Sequence, residues 1–175
     1  MKTLLILLFI LLPLNLNGAE TLKTPNFLNQ YIGSPKKVGE GRLKWMWLHV
    51  YDAGLYAENG KFNKNKPFAL QIRYLRHING EDIANTSIDE IKRQENISDE
   101  KLETWHNQML EIFPDVKNGS EIVGIATKQG HSVFYFDNEK IGEIKDKGFT
   151  RLFFNIWLGE KTKKPTLKNN LLRNN

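Results

Sequence analysis

Leu43-Lys44-Trp45-Met46-Trp47-Leu48-His49-Val50-Tyr51-Asp52-Ala53-Gly54-Leu55-Tyr56-Ala57 is the stretch whose reading decides the fold. Leu43, Trp45, Trp47, His49 and Tyr51 alternate with Arg42, Lys44, Met46, Leu48 and Val50. A strand with this pattern has two largely apolar faces in its second half, so it is expected to be covered on both sides. Asp52-Ala53-Gly54 predicts a bend or bulge, because glycine inside a strand commonly marks one. Leu55-Tyr56-Ala57 resumes the pattern before a turn at Asn59-Gly60, which gives either a long bent strand or a hairpin.

Downstream, Pro67 opens a second run in which Leu70, Ile72, Tyr74 and Arg76 share one face while Gln71 and Arg73 point the other way. After Asn79-Gly80 the period becomes helical, with Ile83, Ile88 and Ile91 near one stripe. Ser87 and Glu90 have capping-box spacing, which predicts a helix restarting there. A clearer helix begins after Ser98, carries Asp99 and Glu100 at its positive end, and repeats Leu102, Trp105, Met109, Ile112 and Phe113 until Pro114 stops it. Three short runs follow, Ile122 to Ala126, Val133 to Phe136 and Ile141 to Ile144, separated by turns as in a meander. Phe149, Leu152, Phe153, Ile156 and Trp157 mark an amphipathic helix capped by Gly159, and Pro165 starts a last short helix with Leu167, Leu171 and Leu172. Strands, helices, strands and helices in that order predict an α+β fold, a curved antiparallel sheet with helices packed on one face.

Upstream, Met1-Lys2 gives a positive start, Leu4 to Leu12 is an unbroken apolar run, and Pro13 to Ala19 supplies a breaker and small residues. This is the layout of a signal peptide over residues 1–19, with export to the periplasm or the exterior as its consequence. Asn15 and Asn17 interrupt the run well short of the roughly 20 residues a membrane anchor needs. Residues 20–37, with Pro25 and Pro35, read as an irregular lead-in to one domain over 38–175, long enough for a real core.

The chain has no cysteine, which removes disulfides, thiolate metal sites and thiol nucleophiles. Its net charge is +5, but an exported protein rarely meets nucleic acid, and Lys161, Lys163, Lys164 and Lys168 crowd one C-terminal stretch. That stretch reads as a solvated basic surface, or as a docking patch for an anionic partner or membrane surface. His49, His77, His106 and His131 lack metal-ligand spacing, and no metal is expected. No serine lies in a G-x-S-x-G elbow, and Gly33, Gly39 and Gly41 form no phosphate loop, so neither hydrolase chemistry nor a nucleotide or other cofactor is indicated.

What remains is an aromatic strand system carrying cations: Arg42 and Lys44 in one strand, Arg73 and Arg76 in the next, with Tyr51, Tyr56 and Tyr74 nearby. A strand arginine on an apolar face costs several kcal/mol to desolvate unless it meets an acid. Arg76 therefore either pairs with Asp52, Asp82 or Glu81, or reaches water, or holds an acidic ligand at the edge of an apolar pocket.

The chain resembles the bacterial chalcone isomerase-like proteins from about Val38 to Arg173. The resemblance rests on G-x-G at Gly39 and Gly41, V-Y-D-A-G-L-Y at Val50 to Tyr56, L-Q-I-R-Y at Leu70 to Tyr74, I-F-P-D-V at Ile112 to Val116, and I-W-L-G at Ile156 to Gly159. It implies a ligand cleft between a curved sheet and a helical layer, in a superfamily of flavanone-forming isomerases and of fatty-acid binders without known catalysis. Arg42 matches the enzymes' oxyanion-steadying arginine with a spacer of different length, Tyr51 falls at a hydroxyl residue, and no segment corresponds to the enzymes' later tyrosine. The expectation is an exported, non-catalytic binder of a small amphipathic, fatty-acid-like acid. Arg42 and Arg76 would be its charge anchors, Tyr51 and Tyr74 would line its cleft, and peripheral membrane contact is open. The competing readings are an intramolecular lyase or isomerase with an electrostatic oxyanion site, and an interaction module built on the basic C-terminal stretch.

Overall fold

A computed structural model describes residues 21–173; the leader expected over residues 1–19 lies outside them. Six strands form one sheet in sequential order: β1 (Pro35–Trp45), β2 (Leu48–Glu58), β3 (Phe68–Tyr74), β4 (Glu121–Ala126), β5 (Ser132–Phe136) and β6 (Glu139–Ile144). Every neighbouring pair is antiparallel. Helices α1 (Gly80–Gln94) and α2 (Asp99–Ile112) are inserted between β3 and β4, and α3 (Lys147–Leu158) and α4 (Pro165–Leu171) follow β6. No described helix is long and apolar enough to cross a membrane.

Strand alternation sorts the sheet into two faces. Ala53, Leu55, Leu70, Ile72, Tyr74, Ile122 and Phe134 pack with α1, α2, α3 and α4 in the main core. Tyr56, Ala69, Val123, Ile125, Val133 and Tyr135 face the other way, against Leu28 and Ile32. Burial on both faces holds from Tyr51 to Ala57, with the lead-in as the second cover. The cover expected of the preceding alternation fails: Lys44 to His49 are exposed, because they form the end of a hairpin rather than the middle of a strand. That lead-in is not irregular throughout: it forms a short 3-10 helix at Asn26–Gln30, and β1 already begins at Pro35.

Of the two readings of this stretch, the hairpin is the one adopted. The chain reverses at Met46 and Trp47, with Trp45 opposite Leu48 and Met46 at φ 54°. The bend expected at Asp52-Ala53-Gly54 is absent, for β2 pairs with β3 continuously from Tyr51 to Ala57. Gly54 serves a contact instead, since a Cβ there would lie 3.1 Å from Leu22 Cδ1 in the lead-in. The irregularity comes earlier: Leu43 faces Tyr51 and Lys44 faces His49, which leaves Val50 as the extra residue of a bulge.

The helices differ from expectation in their ends. α1 does not restart at Ser87; that hydroxyl donates to the Ile83 carbonyl at 2.8 Å, a bond back along an unbroken helix. Ser98 occupies the N-cap of α2 without a side-chain cap bond, whereas Asp146 caps α3 by accepting from the Gly148 and Phe149 amides. Gly159 ends α3 in extended backbone, where a Cβ would collide with the Asn155 carbonyl. Gly39 lets α4 lie directly on β1, because a Cβ there would come within 2.6 Å of the Leu171 carbonyl oxygen.

Candidate functional site

Between the sheet and the helical layer lies a cleft of about 210 Å³. Its floor is Leu43 from β1, Val50 and Tyr51 from β2, Leu70, Ile72 and Tyr74 from β3, and Ile122, Gly124 and Phe134 from β4 and β5. The roof is Ile83 and Ser87 of α1 with Phe153, Phe154, Ile156 and Trp157 of α3. The bulge explains why consecutive residues Val50 and Tyr51 both reach it, since an extra residue cancels the usual alternation. Gly124 keeps the floor open: a Cβ there would press on Phe154 and Phe134 at 3.3–3.4 Å. Edge-to-face packing of Phe153 on Phe134, at 5.3 Å between centroids, makes one wall rigid and apolar.

Two phenols supply polarity within this apolar lining. Tyr51 and Tyr74 meet edge to face with centroids 6.1 Å apart. Burial pushes both hydroxyls well above the ordinary tyrosine pKa, so each remains a protonated donor at physiological pH. Trp157 Nε1 donates to Tyr51 Oη at 2.9 Å, and that contact moderates the rise on Tyr51. Because Tyr51 Oη accepts there, its own proton is left for a further acceptor. Ser87 spends its proton on Ile83.

At the rim stand Asp82, Thr86 and Lys164. Lys164 occupies the N-cap position of α4 and forms no ion pair with a described residue. Burial holds its pKa below the ordinary lysine value, with Glu90 opposing that shift and Lys163 and Arg93 adding to it. An amine held in this way gains from an incoming anion.

The expected site residues divide. Tyr51 and Tyr74 line the cleft; Arg42 and Arg76 do not. Arg42 projects from the opposite sheet face, where its Nε and Nη2 donate to the two Asp52 carboxylate oxygens at 2.6 and 3.0 Å. Arg73 adds a third bond to Asp52 at 3.1 Å. Burial alone would raise the Asp52 pKa, but the two arginines together hold it below the usual aspartate range. Arg76 lies two residues beyond the end of β3 and is exposed, so it neither shares the Leu70-Ile72-Tyr74 face nor pairs with Asp52. The crowded C-terminal lysines are largely engaged: Lys161 bonds the Gln94 carbonyl, Lys163 pairs with Glu90, and Lys168 with Glu160.

The comparisons with known proteins agree with this architecture. A family model described as chalcone isomerase-like matches residues 38–173. An uncharacterized protein of Haemophilus influenzae is 28% identical over 122 residues, which are 69% of this chain but 59% of that protein's length. In structure, the chain is similar to a fatty-acid binding protein of Arabidopsis thaliana, with a TM-score of 0.63 at 14% identity, covering 81% of this chain and 88% of that one.

Proposed function

The chain belongs to the chalcone isomerase-like family, and from that premise we propose that it is a non-catalytic binding protein for a small amphipathic acid. The apolar tail would lie along the Leu70, Ile72 and Phe134 floor, and the acid head would accept a hydrogen bond from the Tyr51 hydroxyl and pair with the Lys164 ammonium. The observation that carries this reading is the Trp157 to Tyr51 hydrogen bond, which leaves a buried phenol with an unspent donor inside an otherwise apolar cleft. The fold shared with a fatty-acid binding protein supports the same class of ligand. At about 210 Å³ the cavity is smaller than the roughly 300 to 1,000 Å³ usual for drug-sized ligands, which favours a short or medium-length chain.

The isomerase alternative asks for a guanidinium beside the tyrosines to steady an oxyanion. Arg42, which the resemblance offers for that role, is turned to the other face and held by Asp52, which favours binding over turnover. We further place the protein outside the cytoplasm, on the strength of the signal-like layout of residues 1–19.

Native mass spectrometry and lipid extraction of the protein purified from its own compartment test the proposal. A retained monocarboxylic acid, displaced by a fluorescent fatty acid, is the expected result. Turnover of a chalcone without acid binding would replace this reading with the isomerase one.

A further inference from the structure

The β1–β2 hairpin ends in four consecutive large apolar residues that the described residues leave exposed. Trp45, Met46 and Trp47 are 69%, 73% and 77% exposed, and Leu48 is exposed as well. Local turn geometry does not ask for them, since Met46 sits at φ 54°, a conformation that favours glycine or asparagine. An unneeded, strained methionine between two tryptophans at a turn is a surface made for contact.

We propose that this tip inserts into the interfacial layer of an anionic phospholipid bilayer. Tryptophan favours the boundary between headgroups and acyl chains, where its ring is half apolar and its N–H stays hydrated. The charge around the tip has the matching sign: Lys44 is exposed, Gly41 to Tyr51 contains no acid, and the neighbouring Arg42 is held by Asp52. Exposed Arg76 lies at the same end of the sheet, next to Leu75, whose amide bonds the Val50 carbonyl. A protein partner fits less well, because four side chains bury on the order of 500 Å² against the roughly 800 Å² per partner of a stable interface. Position gives the contact a use: Leu43 and Val50, at the base of the same tip, line the cleft, so an inserted tip holds that end of the cleft at the membrane surface. The docking itself stands whatever the cleft binds.

Quenching of tryptophan fluorescence by brominated phosphatidylcholine vesicles, with and without phosphatidylglycerol, reads insertion at the tip. The four tryptophans are 45, 47, 105 and 157, none in the amino-terminal apolar run, and Trp105 is buried. The full chain should be quenched, more strongly with phosphatidylglycerol, and Trp45→Ser/Trp47→Ser should lose about tenfold or more in vesicle affinity with an unchanged melting curve. Lys44→Glu should lose only the phosphatidylglycerol-dependent part. Absence of quenching with either vesicle overturns the proposal, and so does full vesicle affinity in the double variant. Concentration-dependent self-association abolished by the double variant, without vesicle binding, would assign the tip to a second copy of the chain.

Discussion

Trp157 on α3 donates its indole proton to Tyr51 on β2 at 2.9 Å, tying the roof of the cleft to its floor. Tyr51→Phe removes both that acceptor and the phenol proton proposed to meet the ligand. Binding of a fluorescent fatty acid should weaken about tenfold, the equivalent of the roughly 1.5 kcal/mol expected for a hydrogen bond to a charged group. Stability should fall by about 1 kcal/mol, because the Trp157 N–H loses its partner. Trp157→Phe leaves the phenol in place and should cost less binding. Equal binding losses in the two variants would mean that the pair matters only for cleft shape.

Arg42→Ala should separate stability from binding. The guanidinium holds both oxygens of Asp52 on the sheet face away from the cleft, so its loss should cost about 1 to 2 kcal/mol, between the values for exposed and buried pairs. Fatty-acid affinity should stay within about twofold of wild type. Denaturant melts and a displacement assay measure the two effects, and a large affinity loss at unchanged stability would restore Arg42 as a ligand anchor.

Asp52 also sets an acid dependence. Its folded pKa lies below its unfolded value, so the stabilisation is fully present above the ordinary aspartate pKa of about 3.9 and is lost as pH falls through the folded value. Asp52→Asn should be less stable near neutral pH and should lose less of its remaining stability on acidification. Melts from pH 7 down to about pH 2.5 check this, and parallel curves for the two proteins would contradict it.

Trp105 is 2% exposed, packs edge to face on Phe149 at 5.7 Å, and donates from Nε1 to Asp146, the N-cap of α3. Trp105→Ala should cost about 3 to 5 kcal/mol in a denaturant melt, as large-to-small core changes do. A loss under about 1 kcal/mol would require the cavity to collapse almost completely.

Strand and helix identities were legible because burial writes a period into the sequence, as in β3, where Leu70, Ile72 and Tyr74 all face the helices. The hairpin turn was not, because Met46 and Trp47 carry no turn chemistry. Parity explains the misplaced arginines. Arg42 and Tyr51 look like parts of one aromatic and basic strand, but the chain reverses between them, pairing Arg42 with Asp52 on one face while Tyr51 opens on the other. Arg76 continues the alternation of β3 in the sequence, but the strand ends at Tyr74. Trp157 and Lys164 read as a core stripe and a basic tail, since the bond from Trp157 to Tyr51 and the place of Lys164 in the cleft lining are products of folding across more than a hundred residues.

Lys164 is the residue on which the acid head of the proposed ligand depends most. Burial disfavours its charge, and a bound carboxylate would favour it, so binding should draw a proton onto the protein wherever Lys164 is partly deprotonated. Affinity for a fatty acid should therefore fall as pH rises, beginning below the ordinary lysine pKa of about 10.4 and levelling only above the pKa in the complex. Lys164→Met keeps much of the aliphatic stem and should flatten that profile while weakening acid binding about tenfold. The corresponding fatty alcohol should bind both proteins alike, since it offers no charge to pair. Displacement titrations across pH with acid and alcohol measure this directly. Equal losses for the two ligands in Lys164→Met would assign Lys164 to packing and leave the Tyr51 hydroxyl as the sole anchor of the head group.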